Sequence, residues 1–363
     1  MGLIFKEISN FQDFQRLKMD WNSLVKTTDV DHAFMKHEWF ESWIKHLKPK
    51  SKMVIHTAWE NNTLVAIAPL HIIKQKRKGV ALRVLSFMRS SITPRSNFIV
   101  DDKIDSHLFF DTIFASKGWD VSELRAVEVG IPITNKFLLY LKQNNKYVIE
   151  DSLQSPYEIL NTDWETYLKS KSKNFKKNYR NYINRLKSAE SYKIIKIDDY
   201  NELETYFDSL INVSGRSWKA KGKTDLKSMS NMAEFYKDFS KLGSKDKLFT
   251  VIILIIDDKV VAFSYYLKNQ NRLVGIRWEY DEDYSYYMPG LVLNNEITKI
   301  LIDTNEKWEY DLSGMATEHK VKLTNEIRKH IDITVGRPGL YGNFIMYLKK
   351  KLMRSVDLSD KFI

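Results

Sequence analysis

One pattern occurs twice in this chain, and any fold must house both copies. Residues 52–73 (KMVIHTAWENNTLVAIAPLHII) read as strand, turn and strand, with the turn at Asn61-Asn62. Residues 248–269 (LFTVIILIIDDKVVAFSYYLKN) read the same way, with the turn at Asp257-Asp258. β-branched runs around a short polar turn signal an antiparallel hairpin. Helical patterns precede each hairpin: FQDFQRLKMDWNSLV and HEWFESWIKHL before the first, YNELETYFDSLINV and MAEFYKDFSKL before the second. The repetition predicts two copies of one domain type. A length of 363 residues agrees, being too great for one ordinary core.

The second copy continues with a strand over residues 272–280, the loop DEDYSYYMPG, and a helix in LVLNNEITKILID. A short strand over 308–314 and a helical stretch over 317–329 follow. In the first copy, 80–87 reads as the third strand, 104–117 as the helix and 123–129 as the next strand. The join lies near 150–162, where Thr162 and Glu165 have capping-box spacing. The predicted architecture is α/β of the mixed, α+β kind: a first domain over 1–150, a second over 151–335, and a tail over 336–363. Each domain has a mainly antiparallel sheet flanked by helices. The tail, with its basic amphipathic GNFIMYLKKKLMRSV, is expected to pack back on the first domain.

Composition removes several chemistries. There is no cysteine, hence no disulfide, thiolate nucleophile or Cys-ligated metal. The eight histidines are scattered, and His32 and His37 lack the i, i+4 spacing of a helical metal pair. No Walker loop, Rossmann glycine fingerprint or Gly-x-Ser-x-Gly elbow is present. No signal peptide is evident, and the most apolar run, Val251 to Ile256, is far short of the ~20 residues of a spanning helix. A cytoplasmic location is expected.

The net charge of +11 favours anionic partners. It is concentrated: Lys169 to Lys187 holds eight Lys or Arg and no acid. Phe175, Tyr179, Tyr182, Ile183 and Leu186 form an apolar face there, and Lys173, Lys177 and Arg180 line another. This predicts an amphipathic basic helix. It is read either as a solvated surface or as a clamp for phosphates.

At this point the sequence resembles a known family. SPYEILNTDWETYLKSKSKNFKKNYRNYINRL is similar to the segment opening the second domain of tandem GNAT-fold acetyltransferases of the cellulose and exopolysaccharide biosynthesis type. Gly215-Arg216-Ser217-Trp218 resembles their arginine–tryptophan motif. DEDYSYYMPGL resembles their loop and Pro-Gly helix start. Tyr310-Asp311-Leu312-Ser313-Gly314, followed by Lys320, resembles their aspartate–glycine–lysine motif. Fem-type peptidyltransferases share the two-domain plan. Met288-Pro289-Gly290 departs from the usual Gln/Arg-x-x-Gly-x-Gly/Ala turn by two glycines, which leaves open whether the donor is coenzyme A.

The resemblance implies an acyltransferase that moves an acyl group, acetyl first, from acyl-CoA to an amine or hydroxyl, such as an amino sugar or polysaccharide precursor. Acyl-CoA would be a co-substrate, with no bound cofactor or metal. An aminoacyl-tRNA-dependent Fem-type transferase, with tRNA as partner, is one alternative. A non-catalytic binding module, including one that meets a membrane face peripherally, is another. Acyl transfer needs a polarised carbonyl, a base and a protonated leaving group. Asp311 is the first candidate base and Glu279 the second. Arg277, Met288, Pro289, Gly290, Lys177 and Arg180 are expected at the donor, with helix-start amides gripping its phosphates. Arg216, Trp218, Tyr284 and Lys320 are expected at the substrate. His319 has the neutral-range chemistry of an acid or base but reads as an exposed histidine.

Overall fold

A computed structural model describes residues 2–347 other than Lys78, Asn145, Lys146, Met315, Lys322, Asn325, Leu340 and Tyr341, with the backbone alone at Glu318 and His319. The side chain of His319 and tail residues 348–363 therefore lie outside the described residues. The chain divides into two compact units, one of residues 1–44, 48–154 and 328–363, the other of 45–47 and 155–327.

The first unit contributes β1 (Ile4–Ile8), β2 (Ser51–Glu60), β3 (Thr63–Arg77), β4 (Val80–Phe87), β5 (Ile99–Val100), β6 (Val121–Glu128) and β7 (Tyr147–Asp151). The second contributes β8 (Ser155–Leu160), β9 (Tyr192–Ile197), β10 (Phe249–Ile256), β11 (Lys259–Asn269), β12 (Arg272–Tyr280), β13 (Trp308–Asp311) and β14 (Glu326–Arg328). The chain then returns to the first sheet as β15 (His330–Gly336). The sheet orders are β1-β2-β3-β4-β6-β15-β7, with β5 on β3, and β14-β8-β13-β12-β11-β10-β9. The topologies match. Each sheet is an antiparallel meander that ends in one parallel pair, β4 with β6 and β12 with β13. An antiparallel strand closes each pair, β15 beside β6 and β8 beside β13. These are two mixed α/β units of the repeated plan expected from the hairpins.

The hairpin turns form as the sequence requires. Asn61 and Asn62 have φ of 48° and 63°, and Asp257 and Asp258 have 47° and 59°. Paired positive φ makes the two-residue turn whose twist suits flanking strands, and Asn and Asp tolerate it best after Gly. In the second unit the helix Pro289–Asp303 lays Leu293, Ile297 and Leu301 into one core with Ile252, Leu254, Val261, Tyr266 and Tyr310.

Three local expectations change. The cap at the start of the second unit is Asp163, which accepts from Thr166 N at 2.9 Å, in place of Thr162. The helix expected over 317–329 is confined to Glu318–Val321, and 326–328 is strand. The strand β15 was not foreseen, although Ile331, Ile333 and Val335 alternate inward along it. Past Gly336, Ile345 packs against Leu82, Val84 and Val121 of the first unit.

The first unit buries several histidines. His71 sits under Trp43 with ring centroids 5.0 Å apart, and its Nδ1 meets Ser51 Oγ at 3.0 Å. Burial holds this imidazole down at about 4 and also lowers His37 and His56. The unfolded chain then binds the extra proton, so this contribution to stability is complete above pH 6.5 and is lost as pH falls toward 4. For His71 alone the loss between pH 7 and 5 is about 2 kcal/mol. Urea midpoints at those two pH values should differ by that much more in the native protein than in His71→Leu.

Candidate functional site

The site is built where two strands stop pairing. β12 and β13 run parallel for three residue pairs, Arg272↔Glu309, Leu273↔Tyr310 and Val274↔Asp311. β13 ends there, while β12 runs on to Tyr280. Among the described residues, nothing pairs with the β12 backbone on that side from Gly275 onward. A bulge sharpens the departure: Tyr265 faces Arg277 and Tyr266 faces Gly275, which leaves Ile276 unmatched. Trp278 then lies against Gly275, where a Cβ would sit 2.0 Å from the indole Cζ2. The indole Nε1 donates to Tyr266 Oη at 3.2 Å.

The open end of β12 carries a buried cluster. Arg277 pairs with Glu279 and donates through Nη2 to the Thr224 carbonyl at 2.8 Å. Lys219 Nζ lies 3.3 Å from Glu279 Oε1, and Ser217 Oγ donates to Oε2 at 3.4 Å. Two further pairs flank these: Arg216 with Asp281 at 3.1 Å, and Lys221 with Glu282 at 2.7 Å. The segment Arg216 to Lys221 is thereby pinned to the end of β12 at three points. Trp218, within it, is 53% exposed.

Lys320 closes the cluster. Its Nζ donates to the Leu312 and Ser313 carbonyls at 2.9 and 2.6 Å and lies 4.8 Å from the Trp278 ring centroid. It therefore bridges the two diverging strands. Burial pushes the Lys320 ammonium down to about 8; Asp311 opposes that and Lys219 adds to it. Burial likewise brings Lys219 to about 8, with Glu279 opposing and Arg277 adding.

The structure gathers Asp311, Glu279, Arg277, Arg216, Trp218 and Lys320 around this end of the sheet. Asp311 is fully buried and accepts from Ser313 N at 2.7 Å. Met288, Pro289 and Gly290 form the helix start, with Met288 left-handed at φ 51°. The tip is sparser in amides than expected. Leu291 N and Val292 N both bond the Met288 carbonyl and Pro289 has no N–H, which leaves Gly290 N. Tyr284 is half-buried and packs on the same core, stacked on Tyr287.

Lys177 and Arg180 lie apart from these groups, exposed on the basic helix Lys173–Leu186. Its apolar face is half-buried to buried as expected, and Arg185 donates to the Tyr286 carbonyl at 2.9 Å. Arg180 instead lines a cavity of about 300 Å³ with Glu165, Leu168, Lys169, Lys176 and Tyr179. Sequence reading missed Lys219 and Trp278. The alternation of cations in Arg216-Ser217-Trp218-Lys219-Ala220-Lys221 was the available signal for Lys219. Among the described residues, no cluster of His, Asp or Glu could hold a metal ion, and no helix is long and apolar enough to cross a membrane.

The first sheet treats the same place differently. Beyond Ser86↔Glu123 its own chain enters the gap: Ser96 bridges Val127 in parallel, and its N–H bonds the Ala126 carbonyl at 3.0 Å. Buried Asn97 donates to Thr134 at 2.9 Å. Among the described residues the opening is found in the second unit.

Replacing Gly275 by Ala should drive Trp278 off the strand. The expected loss is about 1–3 kcal/mol in urea unfolding, with a changed near-ultraviolet tryptophan signal. An unaltered midpoint and signal would show that the indole does not rest there.

Residues 173–321 match the family described as Acetyltransferase (GNAT) domain. A search of curated proteins found no match. Among solved structures the chain is similar to FemX, 10% identical with a TM-score of 0.59, over 96% of this chain and 100% of that one. It is similar to L-PGS from Bacillus licheniformis, 10% identical at 0.56, over 97% and 100%. It is also similar to a tandem GNAT protein from the clavulanic acid biosynthesis pathway, 9% identical at 0.52, over 93% and 100%. At such identities the likeness is one of fold, and that fold is the tandem GNAT arrangement, with the domain match lying in the unit that holds the opening.

Proposed function

We propose that the second unit, over the expected 151–335 region, is an acyltransferase acting on an acyl thioester, acyl-CoA first, and an amine or hydroxyl acceptor. The observation that carries this is the unpaired edge of β12 beside the end of β13. Free backbone N–H groups at a strand edge can polarise an acyl carbonyl. The helix tip at Pro289-Gly290 would take part of the donor phosphate charge, in its reduced form of one free amide plus the dipole. The Lys219 and Lys320 ammonium groups would protonate the departing thiolate, since an acid near 8 is matched to a thiol. Asp311 is proposed as base, with Glu279 second; Glu279 holds Arg277, Lys219 and Ser217. An amino sugar or surface-polysaccharide precursor is the proposed acceptor, with Trp218 as a ring face. The first unit, over the expected 1–150 region, would shape the acceptor side, and the site would work in the cytoplasm.

Acetyl-CoA binding followed by calorimetry tests the donor. Heat and a thermal shift at millimolar ligand are expected; their absence removes coenzyme A. Asp311→Asn keeps an oxygen for Ser313 N, so it should fold normally yet lose about 10²–10⁴ in transfer rate. Unchanged turnover would move the base elsewhere.

One observation favours a second reading. Lys173, Lys176, Lys177, Arg180 and Lys187 share one side of the basic helix, and Lys173, Lys177, Arg180 and Lys187 make no ion pair among the described residues. Such a stripe suits the backbone of an aminoacyl-tRNA donor. A tRNA gel shift that weakens steeply with salt would support this; a salt-insensitive or missing shift would remove it.

A further inference from the structure

We infer that the cluster at the open end of β12 is an oxoanion site, so that the acceptor carries a carboxylate or a phosphate close to its nucleophile. The acceptor half of this rests on the acyl-transfer reading; the anion site itself does not.

Charge balance is the starting point. Arg216 with Asp281 and Lys221 with Glu282 pair one to one at the rim. Inside them, three cations, Lys219, Arg277 and Lys320, face two carboxylates, Glu279 and Asp311. Among the described side chains one positive charge remains over, in a place that water reaches poorly; the Lys219 side chain is 17% exposed. A buried charge without a counter-charge is costly, so such a surplus calls for an anion from outside.

Donor geometry points the same way. An ammonium has three N–H groups. Lys320 directs two at the Leu312 and Ser313 carbonyls, and Lys219 directs one at Glu279. The remaining N–H groups of both lysines have no partner among the described residues. Arg277 offers none of this, being held by Glu279 and Thr224 above the Tyr236 ring. Among the described residues the groups facing the two lysines are Glu279, Arg277 and Ser217, Asp311 of β13, the Leu312 and Ser313 carbonyls, and the Trp218 and Trp278 rings. Burial first, then Lys219 acting on Lys320 and Arg277 acting on Lys219, holds both at about 8. An anion beside both ammonium groups opposes these effects. Binding near pH 8 must then take up protons.

Lysine side-chain carbon NMR on the whole protein tests this without any assay of turnover. Two lysines should titrate near pH 8, well apart from the other lysines. Millimolar inorganic phosphate or acetate should move both midpoints up by about one unit, a tenfold change in proton affinity. The anion that does so identifies the group, phosphate or carboxylate. In Lys219→Gln the Lys320 midpoint should rise with no anion present, and the response to anion should weaken at least tenfold. Lys219→Arg keeps the charge and should keep the Lys320 response, which guards against misfolding of the first variant. Two ordinary lysine midpoints, midpoints indifferent to both anions, or a response that survives both Lys219→Gln and Lys320→Gln would overturn the site. A positive response with no acetyl-CoA binding would keep the anion site and discard the coenzyme half of the acyl-transfer reading.

Discussion

The second unit is organised by a parallel ladder that is cut short. β12 and β13 pair over only three positions, yet β12 continues for six more residues. Backbone groups at that depth need partners, and a strand edge that lacks a neighbour is a template for one. The chain handles this locally. Ile276 bulges, Trp278 covers Gly275, and Lys320 ties its indole to the carbonyls just past β13. The bulge turns the backbone, while Trp278 and Lys320 act through side chains, which can move without dismantling the sheet.

The ion pairs at the end of β12 serve the same geometry. Arg216, Lys219 and Lys221 meet Asp281, Glu279 and Glu282. A rim pair such as Arg216 with Asp281 contributes about 1 kcal/mol or less on its own. The inner pair differs, because Glu279 is almost fully buried and its removal would leave Lys219 and Arg277 uncompensated. Together they hold a short helical turn against the strand and keep an exposed Trp218 in a fixed place. The same desolvation that makes the pairing necessary also lowers the proton affinity of Lys219.

Much of this fold was legible because its signals are local. The Asn61-Asn62 and Asp257-Asp258 turns, the strand over 272–280 and the helix after Met288 each depend on residues adjacent in sequence. What was missed depends on partners far away. β15 alternates cleanly, but its place is fixed by β6 and β7 of the first sheet, beyond an intervening unit. The expected end of the second domain, at 335, falls inside this strand, which pairs with the first sheet over 330–336. In the site, Asp311 and Lys320 stood out by motif and Glu279 by its place at the end of a strand, whereas Lys219 did not. A lysine in a lysine-rich segment carries no mark of burial; only Glu279, sixty residues on, gives it one.

The two units make the argument for where chemistry sits. They share a topology, including a parallel pair that stops early, and differ in what fills the resulting gap. In the first sheet the filler is backbone: Ser96 is bridged to Val127, and Asn97 is buried on Thr134. Expelling it would break those hydrogen bonds and strand buried polar groups at about 1–3 kcal/mol each. In the second sheet the filler is Lys320, held by two carbonyls and a ring. Swinging one ammonium aside costs two hydrogen bonds to groups that a ligand or water can satisfy again. The second gap is therefore closed by a filler that costs less to displace than the backbone filler of the first. The asymmetry follows from one difference, a chain segment against a side chain, within otherwise matching sheets.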